Sequence, residues 1–171
     1  RTLQLKLRLR HPTAGLVYPD RFIAAAEELG LIDALTKHVL RHALREVASR
    51  SLLADTTLSI NVSAHSLVDL SLPDWLTDTA ERHGLAPTRL MIEITESGLI
   101  KEFAKALDIL ARLRLRGVGL SIDDFGTGYS SMAQLRRIPG TELKIDRMFV
   151  NEMLGDDSAM AVVEETIGLA H

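Results

Sequence analysis

The chain is 171 residues long, 46% hydrophobic and 25% charged, with a formal net charge of -3 at pH 7. Such a composition fits one globular domain, and the absence of Cys excludes disulfides and thiolate metal sites. The negative balance argues against a grip on DNA backbone, and no apolar run approaches the roughly 20 residues needed to cross a bilayer, so membrane contact by this domain is not expected.

No secretory leader is visible, and the chain does not open on Met. Leu3 to Arg10 alternates strictly, with Leu at every odd position, and predicts a strand. Asp20 to Gly30 reads as a helix, with Asp20 as N-cap and Gly30 as stop; Asp33 to Ala48 reads as a second, with Asp33 as N-cap. A short strand follows over Leu58 to Val62. Pro73 to His83 is helical and stops at Gly84. Leu90 to Thr95 is a strand, and Phe103, Leu107, Leu110 and Leu113 place an apolar stripe on a helix ending near Gly117. Val118 to Ile122 is the next strand, Ser131 to Arg137 a short helix, and Leu143 to Ile145 a strand core. Asp157 to Ala170 is the last helix, with Asp157 as N-cap.

Strand and helix alternate, which implies parallel strands joined by crossover helices. Reactive residue types fall at the strand ends: Asn61, Glu93, Asp123 and Lys144. In a (β/α) barrel those ends form the active-site face, but an open doubly wound sheet also gathers ligands there. Asn61, Glu93, Asp123 and Asp124 are oxygen donors, three of them anionic. Brought to one mouth, the acids would repel, and a hard divalent cation relieves that repulsion. Mg²⁺ or Mn²⁺ suits such a set, and two ions about 3.5–4 Å apart can cleave a phosphodiester. Lys144, on the next strand, is suited to hold or deprotonate the attacking water. For any one of these acids, capping the following helix is the blander reading; four at successive strand ends favour a site.

The remaining candidates read as structural. His38, His42 and Glu46 follow one helix face, but three ligands in a row along one helix do not easily reach one ion. His11 sits in a loop before Pro12, Trp75 packs a helix, and Glu164 with Glu165 forms a solvated face.

Five segments make the resemblance specific: RHPTAGLVYPDRFIAAAEELGLI (10–32), SINVSA (59–64), IEITES (92–97), DDFGTGYSS (123–131) and LKIDRMFV (143–150). Across nearly its whole length the chain resembles the EAL family of bacterial cyclic dimeric GMP phosphodiesterases. The resemblance implies an α/β fold, a TIM-like (β/α) barrel of the EAL type. It implies Asn61, Glu93 and Asp123 as ligands of one metal ion, Asp124 serving a second, and Lys144 on the attacking water. Arg8 would contact a substrate phosphate. Glu96 would hold the DDFGTGYSS loop, whose Gly126 and Gly128 permit the turn and which in the family couples dimer contacts to activity. Mg²⁺ or Mn²⁺ would be the cofactor and cyclic dimeric GMP the ligand. A homodimer, sensory or GGDEF domains in the same protein, and a cytoplasmic place in a bacterium are implied as well.

Two departures stand out. Aligned through Arg8, His11 and Pro12, the name-giving Glu-Ala-Leu falls on Gln4, Leu5 and Lys6, so a neutral amide replaces a metal-ligand Glu. The family Trp falls on Leu9. Residues 1–171 read as an EAL domain lacking the first strand and the last strand–helix units, among them a strand with a further catalytic Glu. A closed barrel needs eight strands and about five or six can be read, so a further segment or a second chain is expected at the open edges. Two functions follow: metal-dependent hydrolysis of cyclic dimeric GMP to the linear dinucleotide, or a degenerate EAL module that binds nucleotide or a protein partner without turnover. Gln4, Lys6 and Arg8 would share the lumen face of the first strand, with Lys6 either among the carboxylates as a substitute for metal charge or extended to the mouth and hydrated.

Overall fold

The computed structural model describes residues 2–49, 56–127 and 132–170. Strand β1 covers Thr2–Gln4, and β2 (Leu9–His11) pairs antiparallel with β3 (Gly15–Val17) as a separate hairpin. Helices α1 (Ile23–Glu28) and α2 (Ile32–Ser49) precede β4 (Thr57–Asn61). Then come α3 (Leu72–Arg82), β5 (Leu90–Thr95), α4 (Glu96–Lys101), α5 (Phe103–Leu115) and β6 (Gly119–Phe125). The chain continues with α6 (Met132–Leu135), β7 (Glu142–Ile145), α7 (Arg147–Glu152) and α8 (Asp157–Ala170).

Strands β1, β4, β5, β6 and β7 lie side by side in that order, every neighbour parallel. This curled parallel sheet is an incomplete TIM-like barrel: the alternation of periods predicts its parallel strands, and the family resemblance implies the barrel. Its outer strands, β1 and β7, each have one edge unpaired among the described residues.

Period-2 geometry sorts the sheet into two faces. Leu58, Ile60, Leu90, Ile92, Ile94, Leu120 and Ile122 are buried against the helices, where Leu40, Leu44, Leu76, Ile109, Leu110 and Leu113 complete an aliphatic core. Each such Leu or Ile stabilises the fold by about 1.5–3 kcal/mol on burial. The alternate positions carry Ser59, Asn61, Glu93, Ser121 and Asp123, so the concave face is polar. The pairing register sets Asn61 beside Glu93, Glu93 beside Ser121, and Thr95 beside Asp123.

Several expectations need correction. The strand predicted over Leu3 to Arg10 is split: β1 stops at Gln4, and the chain leaves the sheet before re-entering extended structure at Leu9. The hairpin turn explains it. His11 Nδ1 accepts hydrogen bonds from the N–H groups of Thr13 (3.3 Å) and Ala14 (3.1 Å), fixing a tight turn that pulls β2 onto β3. Leucine alternation signals extended chain but not which partner it pairs with. Asp20 caps no helix; it sits inside a 3-10 turn, Pro19–Arg21, and α1 starts only at Ile23. Asp33 lies within the first turn of α2, not before it, and accepts the Ser66 hydroxyl at 2.5 Å. Asp157 is likewise within α8, and Asp156 takes the N–H of Ser158 at 2.8 Å. The helices α4 and α7 were not predicted. Each starts directly at a strand end on a capping side chain: Thr95 accepts from Gly98 N–H (3.4 Å), and Asp146 accepts from Met148 N–H (2.7 Å). Ser131 and Gly128 lie outside the described residues.

Candidate active site at the strand ends

Glu93 is the centre of the concave face. It is 1% exposed, and its carboxylate receives four donors from three other strands. Gln4 Nε2 donates to Oε2 at 2.5 Å, Asn61 Nδ2 to the same oxygen at 3.3 Å, and Ser59 Oγ to Oε1 at 2.5 Å. Lys144 Nζ forms an ion pair and hydrogen bond with Oε1 and lies 4.0 Å from Glu142. Burial is the largest single influence on this carboxyl and opposes ionisation. The hydrogen bonds from Lys144, Ser59 and Gln4 together outweigh it, so Glu93 is held below the usual carboxylate range.

Asp123 and Asp124 end β6 in an irregular stretch. The β6–β7 register shifts between Ile122 and Phe125, so neither Asp has a partner in β7. Asp124 takes a left-handed backbone, φ 54°, which no other described non-glycine residue does. Its N–H donates to Asp123 Oδ1 at 3.1 Å, and its carbonyl accepts the Thr127 hydroxyl at 2.8 Å. A bulge of this kind re-aims side chains at a strand end. Burial, then the charges of Asp123 and Asp146, push the Asp124 carboxyl up, with Lys144 opposing.

Glu96, 3% exposed at the start of α4, accepts the N–H of Gly126 at 2.9 Å. The structure therefore brings Glu96 to the described part of the DDFGTGYSS loop. Gly126 has φ 98°, and a Cβ there would stand 2.8 Å from both Phe149 and Val162.

Two cavities open on this face. One, of about 690 Å³, is lined by Gln4, Lys6, Arg8, Asn61 and Glu93; the other, about 590 Å³, by Gln4, Lys6, Asp123, Asp124 and Lys144. The two adjoin and share Gln4 and Lys6, with Lys144 bridging to Glu93. Arg8 is exposed, donates to the Leu7 carbonyl at 2.7 Å, and lies over the Tyr18 ring at 4.5 Å.

Lys6 is not buried among the carboxylates. It is exposed just past the end of β1, and the cation at Glu93 is Lys144. Ser59 and Gln4 were missed as partners of Glu93. Strand period could have found Ser59, which is two residues before Asn61 on the same face; only the β1–β4 pairing, Gln4 beside Ser59, reveals Gln4.

The donor types suit a hard divalent ion, since Asn61, Glu93, Asp123 and Asp124 all offer oxygen. Their present arrangement is looser: among the described residues no three acid or His side chains come together as a metal cluster. Nor, among the described residues, is any helix long and apolar enough to cross a membrane.

A family model described as the EAL domain matches residues 1–171. The cyclic di-GMP phosphodiesterase NbdA of Pseudomonas aeruginosa is 43% identical over 170 residues, covering 98% of this chain and 22% of NbdA. The bifunctional diguanylate cyclase/cyclic di-GMP phosphodiesterase MucR of the same organism is 41% identical, covering 95% of this chain and 24% of MucR. The chain therefore spans about a quarter of the length of these curated relatives. Among solved structures, the PaMucR phosphodiesterase in complex with c-di-GMP superposes with a TM-score of 0.86 at 40% identity, covering 97% of this chain and 68% of that one. The EAL enzyme Bd1971 in its cAMP- and cyclic-di-GMP-bound form gives 0.88 at 32% identity, covering 99% and 48%. On the family match and these identities, this chain belongs to the EAL domain family.

Proposed function

We propose that this domain binds cyclic dimeric GMP across the two cavities at the strand ends and hydrolyses it to the linear dinucleotide. The observation that carries the reading is the environment of Glu93: a buried carboxylate on the concave face, bound by Asn61 and Lys144, with Asp123 and Asp124 at the end of the neighbouring strand. Relatives named for this activity and structures solved with this ligand support the substrate.

In this reading Asn61, Glu93 and Asp123 would hold one Mg²⁺ or Mn²⁺, and Asp124 would serve a second. Bound there, the ions would supply positive charge that favours a hydroxide nucleophile and an alkoxide leaving group. The chain's own groups do the rest. Arg8 takes a phosphate oxygen, Lys144 orients the attacking water, and Glu96 holds the loop that carries Asp124 through Gly126. The water oxygen bonds to phosphorus, one ester P–O bond breaks, and the ribose hydroxyl leaves with a proton. The domain works as a homodimer within a larger signalling protein that carries sensory or GGDEF domains.

One observation favours a second reading, a module that binds without efficient turnover. Gln4 donates a hydrogen bond to Glu93, so Glu93 is satisfied by neutral and cationic donors without a divalent ion. The test is a calorimetric titration with cyclic dimeric GMP, beside chromatographic detection of the linear product with Mg²⁺ or Mn²⁺. Binding with slow hydrolysis, accelerated in Gln4→Glu, is expected. Binding with no product in either protein leaves only the second reading, and no binding rejects both.

A further inference from the structure

We propose that Lys6 is a phosphate ligand of this site, and that it lets the domain hold a cyclic dinucleotide without a divalent cation. The inference rests on the reading that a cyclic dinucleotide is the ligand.

Four cations, Lys6, Arg8, Lys144 and Arg147, line the two cavities at the strand ends, and two of them have partners in the structure. Lys144 is committed to Glu93, with Glu142 at 4.0 Å. Arg8 donates to the Leu7 carbonyl and stacks on Tyr18. Lys6 and Arg147 have no ion pair and no side-chain hydrogen bond among the described residues, and Arg147 lines only the smaller cavity. Lys6 lies just beyond β1, exposed, and it lines both cavities, a position that among the described residues it shares only with Gln4.

That location follows from the split first strand. Had β1 run on to Arg10, Lys6 would be fixed in the sheet; the Leu5 N–H still donates to the Ser59 carbonyl at 2.9 Å, and just beyond it the four-carbon stem of Lys6 can swing toward either cavity. Nearby acids do not claim it. Glu93 is bonded by Gln4, Asn61, Ser59 and Lys144, and position 4 presents an amide rather than a carboxylate. An unpaired ammonium with three donors, at the junction of the two cavities, suits an anionic ester oxygen. A cyclic dinucleotide brings two such groups on one rigid ring. Lys6 would meet one from the junction while Arg8 meets the other from the larger cavity, and neither contact needs a metal ion.

Calorimetric titration with cyclic dimeric GMP tests this, in EDTA and again in Mg²⁺, for the parent, Lys6→Leu and Lys6→Arg. Circular dichroism checks that each is folded. The parent is expected to bind in EDTA. Lys6→Leu should bind about tenfold more weakly there, or worse, and lose less in Mg²⁺, while Lys6→Arg stays within a factor of about three of the parent. A parent that binds only with Mg²⁺ overturns the inference and leaves the nucleotide reading intact, as does a Lys6→Leu protein that matches the parent in EDTA. A parent that binds under neither condition overturns the nucleotide reading itself, and this inference with it.

Discussion

Gln4 and Glu93 are 89 residues apart in the chain and 2.5 Å apart in space, the amide of the first donating to the carboxylate of the second. The contact joins the edge strand β1 to β5 across β4, so the state of Glu93 depends on a residue at the start of the chain.

Gln4→Glu should place two carboxylates in contact. In EDTA the melting temperature should fall, since a donor becomes a like charge and the lost hydrogen bond alone costs about 1–3 kcal/mol. Mg²⁺ should then restore it, giving a larger metal-induced rise than in the parent. Equal metal-induced shifts in the two proteins would falsify the idea that Gln4 weakens metal binding.

The Glu93 pair sets an acid limit on stability in the metal-free protein. The folded carboxyl is held low, so its contribution is fully present above the unfolded value of about 4.3 and drains away as pH falls through the folded value. Urea midpoints measured from pH 7 downward should show this loss, and Glu93→Gln should flatten it. Lys144→Met should cost about 1.5–3 kcal/mol at pH 7, the range for losing one hydrogen bond to a charged group, because Lys144 is partly exposed and three donors remain on Glu93. A Glu93→Gln curve parallel to that of the parent would remove this account.

Asp124 should behave in the opposite sense. Its folded carboxyl is raised by burial and by the charges of Asp123 and Asp146, so its ionised form opposes folding. That penalty is absent below its unfolded value and fully present above its folded one. Asp124→Asn should therefore raise the melting temperature in EDTA at pH 7, while lowering hydrolysis. No stabilisation at pH 7, or the same gain in acid, counts against it.

Gly126→Ala should be destabilising by about 2–3 kcal/mol, because it forces a side chain into φ 98° and against Phe149 and Val162. Hydrogen exchange at the Gly126 amide, protected by Glu96 in the parent, should quicken at residue 126 in the variant. A stable variant with a protected amide means that the loop is not held as described.

The order of strands and helices was legible in the sequence because burial on one face writes a period of two or 3.6 into the chain. The strand predicted over Leu90 to Thr95 matches β5 residue for residue, and a period of two sets Glu93 on the face opposite Ile92 and Ile94. The strand-end position of Asn61, Glu93, Asp123 and Lys144 followed from the same pattern, and the quoted motifs pointed to the family. Tertiary structure alone decided what those residues touch. Leucine alternation could not say that β1 ends at Gln4, since the hairpin that draws β2 away is closed by a His11 side chain. Nor could it give Lys144, and not Lys6, to Glu93: that choice depends on where parallel strands from distant parts of the chain come into register. The left-handed turn at Asp124 was equally hidden: Asp tolerates that conformation, but it adopts it here where the pairing of β6 with β7 slips.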